Sequence, residues 1–330
     1  MTDTNEPKKG EEIDFMSRPS MQKAVIQSKR KQTIKYVFIA VLTTIILLTI
    51  IFGGSQFILT KRIENQDSLY NSIHGANISD GGTTYNHNIF SITKETTYRK
   101  TIDDRSILWD KKTEKIPLFG KIDTLEKGSG KVEINTLNED AKRYVHYNDF
   151  NNERKIDFYY PGLTYDYLPQ ELNTAVNLDN NMLIEVALSF KEPMTLSELA
   201  KKLGKENVNW LWVDTTTATQ MERMERNLDK DSLKTKGGEG AFGFQFTPEL
   251  PYSEENGQRF INILEELNKK GIHKSSIKGA LEGIKENTQA TKGKIRINGA
   301  VITGTAMELK RFQSLGFIRA SVLGATIDKY

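Results

Sequence analysis

The sequence predicts a single-pass membrane protein with a β-rich membrane-proximal region followed by an α+β extracytoplasmic domain. Three observations predict it: one long uncharged apolar segment near the start, a set of short β-favouring runs after it, and alternating strand and helix patterns beyond Pro161. The chain divides accordingly into a cytoplasmic tail (1–35), a transmembrane helix (36–59), the β-rich region (60–160) and the α+β domain (161–330).

The segment IKYVFIAVLTTIILLTIIFGG carries no charge over 36–52, and its polar side chains besides Tyr36 are Thr43, Thr44 and Thr49. Extended to Leu59, it reaches about 36 Å as a helix, enough for a hydrocarbon core of about 30 Å with some tilt. A cleavable signal peptide has an apolar region of about 7 to 15 residues behind a short basic start. Here the apolar run is longer and its lead is longer, so an uncleaved anchor is expected even though Gly53-Gly54-Ser55 offers small residues to a peptidase.

Lys23, Lys29, Arg30, Lys31 and Lys35 precede the span, and no acid lies between Phe15 and Lys35. Only Lys61 and Arg62 follow closely, with Glu64 and Asp67 beyond them. Basic flanks stay in the cytoplasm, which puts the tail inside and the large portion outside. Positions 1–59 hold eight basic and five acidic residues and the remainder holds 38 of each, so the formal charge of +3 resides in the tail. Nucleic-acid binding needs basic residues clustered on a folded face; a balanced exterior excludes direct nucleic acid as a partner. Topology and attraction to anionic membrane lipid account for the basic cluster.

With 27% charged and 37% hydrophobic residues the chain as a whole has a globular rather than a disordered composition. The absence of cysteine excludes disulfides, a thiol nucleophile and cysteine-ligated zinc.

After the span, KRIENQDSLYNSIHG is expected to continue the helix to about Gly75. NIFSITKETTYRK, KIPLFGKIDTLEKGSGKVEINTL, AKRYVHY and KIDFYY then read as strands separated by turns. MLIEVALSF is a strand, and Thr195 with Glu198 forms a capping box for TLSELAKKLG, ended by Gly204. NVNWLWVDT and GAFGFQF are further strands. SEENGQRFINILEELNKKG has helical spacing at Phe260, Ile261, Ile263, Leu264 and Leu267 and a stop at Gly271. A helix over about 275–286, strand KIRINGAVITG, helix TAMELKRFQSLG and strand FIRASVLGATID close the chain, with no internal repeat.

Gly238-Glu239-Gly240-Ala241-Phe242-Gly243 is a literal G-x-G-x-x-G, but a dinucleotide site needs a strand before it and a helix after it. DKDSLKTKG precedes it and a strand follows, so it reads as a turn, and no cofactor is expected. Gly128-Ser129-Gly130-Lys131 reads as a hairpin turn. His74, His87, His146 and His273 have no i, i+4 partner, so no metal site is expected. No G-x-S-x-G elbow is present, and the adjacent pairs Asp103-Asp104, Glu254-Glu255 and Glu265-Glu266 point apart. Catalytic residues are therefore not assigned, and the protein is expected not to be an enzyme. Trp210 and Trp212 share one side of a strand; core packing suits their area, and an outer ligand patch for sugar is the alternative.

MTLSELAKKLGKENVNWLWVDT, GAFGFQF and INGAVITGTAMELKRFQSLGFIRASVLGATID, in this order, resemble the C-terminal domain of bacterial sigma-factor regulators. KRKQTIKYVFIAVL resembles their N-terminal region. The resemblance implies a membrane-spanning, anti-sigma factor-like protein of low-GC Gram-positive bacteria, acting on an extracytoplasmic-function sigma factor. Better-known anti-sigma factors carry a sizeable cytoplasmic domain, so about 35 inside residues leave two routes: direct binding, or binding through an accessory membrane protein. Phe15, Met16, Met21, Val25 and Ile26 are the candidate partner-binding residues, apolar among basic neighbours. Lys29, Arg30, Lys31 and Lys35 flank the membrane. A membrane-anchored envelope scaffold is the alternative function, and an exported hydrolase would require histidine and carboxylates gathered in an outer cleft.

Overall fold

The computed structural model describes residues 19–64, 68–136, 142–246, 251–271, 273–291 and 293–330. It divides into two units, Met1–Ile58 and Leu59–Tyr330. Phe15 and Met16 lie outside the described residues.

In the first unit the described residues are all helical, part of α1 (Pro19–Glu64). Its large apolar side chains between 34 and 52 are exposed all round the helix, a surface that suits surroundings as apolar as themselves. The hydroxyls of Thr43, Thr44 and Thr49 donate to the carbonyls of Ile39, Ala40 and Ile45 at 2.7, 2.8 and 2.8 Å. Their polarity is thus satisfied within the helix. In length and composition α1 can cross a membrane.

The second unit begins with Leu59, which is buried with Ile92 and Ile116. A short helix, α2 (Ser68–Asn71), leads into an antiparallel meander of β1 (Ile78–His87), β2 (Ser91–Ile102), β3 (Arg105–Pro117) and β4 (Asp123–Lys127). Asp103, at φ 55°, makes the β2–β3 turn, a left-handed position that aspartate tolerates. A separate hairpin joins β5 (Gly130–Thr136) to β6 (Lys142–Asn148). Because β4 pairs with β3 and β5 with β6, the 128–131 turn carries the chain between two sheets. It is not the hairpin turn its glycines suggest.

β7 (Asp157–Tyr159) and α3 (Leu172–Ala175) precede the longest strand, β8 (Met182–Thr195). Thereafter come α4 (Leu196–Lys202), β9 (Val208–Val213), α5 (Ala218–Asn227), α6 (Asp231–Lys234), β10 (Thr235–Gly237) and β11 (Gly243–Gln245). The chain ends with α7 (Glu254–Lys270), α8 (Lys274–Thr288), β12 (Arg296–Gly304), α9 (Ala306–Leu309) and β13 (Ile318–Asp328). β11-β9-β12-β8-β13 form one antiparallel five-stranded sheet, and β10 pairs with β7.

Alternation along the strands gives this sheet two apolar faces. Ile184, Val186, Leu188 and Phe190 of β8 point to one, where Phe260 and Leu264 of α7 and Ile277 of α8 cover them. Ala187, Trp210, Trp212, Val301 and Val322 point to the other, under Ile156, Phe158 and Tyr160. Helix ends follow the sequence signals: Thr195, Thr217 and Thr305 each close a capping box, with Glu198, Gln220 and Glu308 as reciprocal partners. Gly271 ends α7 in the left-handed conformation at φ 71°.

Candidate functional site

Within the second unit, the meander, the β5–β6 hairpin and the β7–β10 ribbon meet around a cleft of about 290 Å³. Its walls include Lys100, Trp109, His146, Lys155, Asp157 and Glu239. Pleat alternation sends Lys100 of β2 inward, where its Nζ lies 2.8 Å from Glu185 Oε2 on β8 and 3.9 Å from the centroid of the Trp109 ring. Trp109 Nε1 donates to Glu239 Oε1 at 3.3 Å, and Lys155 Nζ lies 2.8 Å from the same oxygen. His146 Nδ1 stands 2.7 Å from Asp157 Oδ2.

The cleft is therefore built from three cation–carboxylate pairs beside an indole. The hydrogen bond to Asp157 is the main reason the His146 imidazole is held above its ordinary pKa, outweighing the opposing effect of burial. A ligand that displaces one cation must replace the charge it removes, so the arrangement favours polar or charged ligands over apolar ones. A second cleft of about 280 Å³ shares Trp109 and Glu239 with the first. There Tyr70 stacks against His74 and His273, at centroid distances of 4.4 and 4.0 Å. Burial, and then the charge of Lys236, lowers His74 to about 3.

Glu171 fastens the hairpin from outside the cleft. It accepts from Arg143 Nε and Nη2 at 3.1 and 3.0 Å, from Arg154 Nη2 at 2.8 Å and from the Leu323 amide at 2.8 Å. One carboxylate thus links β6, the β6–β7 connection and β13.

The sequence-predicted residues fall in different places. Trp210 and Trp212 are 3% and 1% exposed, so as an outer ligand patch they are corrected. Phe158 stacks over Trp212 at 4.9 Å and Tyr160 meets it edge-on at 4.9 Å. Gly243 of the G-x-G-x-x-G run serves packing: a Cβ there would come within 2.1 Å of the Leu211 carbonyl and 2.4 Å of the Trp210 ring. β11 follows the run, so no helix N-terminus faces it. Of the four histidines, His74 and His273 share Tyr70 and His146 enters the cleft. Among the described residues no group of three or more His, Asp and Glu is placed to hold a metal ion.

In the first unit Met21, Val25 and Ile26 lie on α1 and are exposed, as are Lys29, Arg30, Lys31 and Lys35. Met21 and Val25, four apart, share one face; Ile26 lies about 100° further round. Sequence reasoning missed Lys100, Trp109, Lys155, Asp157 and Glu239. None sits in a motif that announces a pocket, although Glu239 lies inside the glycine run.

Residues 176–325 match the family model described as sigma factor regulator C-terminal. This segment is similar to that family. The match takes in the whole five-stranded sheet except the last residues of β13, together with the helices that cover it. The sigma factor regulator C-terminal domain contributes Glu185 and Glu239 to the cleft and its surroundings, while Lys100, Trp109, His146, Lys155 and Asp157 precede it. The match suggests a role in the regulation of sigma factors. Neither a curated protein nor a solved structure matches the chain significantly.

Proposed function

We propose that this protein is a non-enzymatic, anti-sigma factor-like membrane regulator that couples an extracytoplasmic signal to an extracytoplasmic-function sigma factor. The family match over 176–325 carries the reading. It is joined by a helix able to span a membrane and by a basic flank on the N-terminal side of that helix, which favours a cytoplasmic tail.

In this reading the folded unit senses and the N-terminal part of α1 acts. The cleft around Trp109 is the ligand-responsive element, because Lys100–Glu185 and Lys155–Glu239 tie the meander and the β6–β7 connection to the segment 176–325, and His146–Asp157 ties the hairpin to β7. A ligand or partner that breaks a pair favours a second arrangement. Coupling of about 1 to 3 kcal/mol between the two sites suffices for a regulatory response. Met21, Val25 and the neighbouring basic residues contact the sigma factor, directly or through an accessory membrane protein.

A photoreactive residue at Met21 tests this in living cells. Capture of a sigma factor identifies the tail as the inhibitory element, and capture of a small membrane protein identifies the accessory route. Recovery of lipid alone, with unchanged sigma-dependent transcription when the gene is deleted, overturns the proposal.

A further inference from the structure

The meander presents apolar side chains at one end of its sheet. Phe119 is 79% exposed, Phe90 58% and Ile89 53%. Ile89 and Phe90 lie in the β1–β2 turn and Phe119 in the β3–β4 turn, and the Leu118 amide donates to the Phe90 carbonyl at 2.7 Å, so the two turns are side by side. Neither turn needs these side chains for its own core: Ile92 and Ile116, just inside the strands, are fully buried without them.

The same end of the sheet grips the last turns of α1. Leu59 and Ile63 pack with Ile92, Ile116, Leu118 and Ile122. The Arg62 guanidinium donates to the carbonyls of Pro117, Leu118 and Gly120, the last at 2.8 Å. Leu59 ends the apolar run and Arg62 lies three residues on, about 4.5 Å along the helix. Phe119 is therefore next to a carbonyl one arginine side chain away from the point where the helix turns polar.

We infer that Ile89, Phe90 and Phe119 insert into the interfacial layer of the phospholipid membrane that α1 crosses, docking the meander on the bilayer. This rests on α1 being a membrane span. Phenylalanine and aliphatic side chains of surface-bound segments bury at the headgroup–acyl boundary. Exposed Lys115 and Lys121 stand near the same end, suited to lipid phosphates, with the exposed acid Asp123 beside them. The docked turns restrain the sheet that carries Lys100 and Trp109, so the membrane surface becomes part of the frame around the cleft.

The chain has no cysteine, so a single introduced thiol can be spin-labelled. The test uses full-length protein in phosphatidylglycerol-containing phospholipid vesicles and compares collision with oxygen, which concentrates in the bilayer, to collision with a water-soluble nickel chelate. Labels at Ile89→Cys and Phe119→Cys are expected to give an oxygen-to-nickel ratio several times that at Met307→Cys, an exposed site on α9. Phe90→Asp with Phe119→Asp is expected to return the Ile89→Cys label to the aqueous ratio. A label at Leu47→Cys separates the two readings. If it reports bilayer while both turn labels report water, the docking is wrong and the span stands; if it reports water, the span itself fails.

Discussion

Lys100 and Glu185 form an ion pair at 2.8 Å with side chains 1% and 0% exposed, joining β2 of the meander to β8 of the sigma factor regulator domain. Glu185 also accepts from Asn77 Nδ2 at 3.3 Å and from the Ala325 amide at 3.4 Å. A Cβ on Gly324 would lie 2.4 Å from Glu185 Oε2, so this glycine leaves room for the carboxylate. The pair is a junction between two sheets whose partners are 85 positions apart.

Removing one partner of such a buried pair strands the other charge, at a cost of about 3 to 5 kcal/mol. Lys100→Met is therefore expected to lower the stability of the folded unit strongly in denaturant unfolding followed by tryptophan fluorescence. The double variant Lys100→Met with Glu185→Leu is expected to recover much of the loss, since an apolar pair needs no solvation. A double variant as unstable as the sum of the singles would show that the two do not act as a pair.

The His146–Asp157 pair gives the hairpin a pH dependence of definite sign. The folded-state pKa of His146 is raised, chiefly by the hydrogen bond from its ring to Asp157. Its stabilisation is complete below the ordinary histidine value of about 6.5 and is lost as pH rises through the higher folded value. Amide exchange over 142–148, corrected for intrinsic rates, should accelerate relative to the five-stranded sheet as pH rises above about 6.5. Asp157→Asn should abolish that dependence.

His74 acts in the opposite direction. Burial keeps it neutral and lowers its pKa to about 3, so between that value and about 6.5 the unfolded chain binds a proton that the folded chain does not. Stability should fall as pH drops through this window, and His74→Phe should flatten the fall. Unchanged acid sensitivity in His74→Phe would assign the loss to other groups.

Gly243→Ala tests the meaning of the glycine run. With the Leu211 carbonyl 2.1 Å and the Trp210 ring 2.4 Å from the added carbon, β11 must shift away from β9. A loss of about 1 to 3 kcal/mol is expected, typical of overpacking. Dinucleotides should leave the unfolding midpoint of the parent protein unchanged.

Local signals carried most of the C-terminal fold. The Thr195 box, the spacing of Phe260, Leu264 and Leu267, and the short apolar runs of β12 and β13 depend on neighbours within a few residues, and these are legible in sequence. β1 was missed because Gly81 and Gly82 interrupt a polar strand whose register shifts at that point. α5 was missed because Met221 and Met224 give it only two apolar contacts to the core, although Thr217 and Gln220 form a capping box. The cleft was not legible at all: Trp109 and Glu239 are 130 positions apart, and their meeting depends on how three sheets assemble.

The tail supplies the prediction that separates partner binding from topology. Met21 and Val25 share a helix face, whereas Lys29, Arg30 and Lys31 sit nearer the apolar run. Truncating a buried interface anchor typically costs about 1 to 2 kcal/mol, or roughly tenfold in affinity. Met21→Ser with Val25→Ser should therefore raise sigma-dependent transcription several-fold while the protein remains in the membrane with its C-terminal part outside, as read by protease accessibility on intact cells. Replacing Lys29, Arg30 and Lys31 with glutamine should instead disturb orientation, because the proposed inside placement of this flank rests on the charge bias they supply. If the serine variant changes neither transcription nor capture from the tail, the face of Met21 and Val25 has no partner. Regulation must then reside in another surface of the chain.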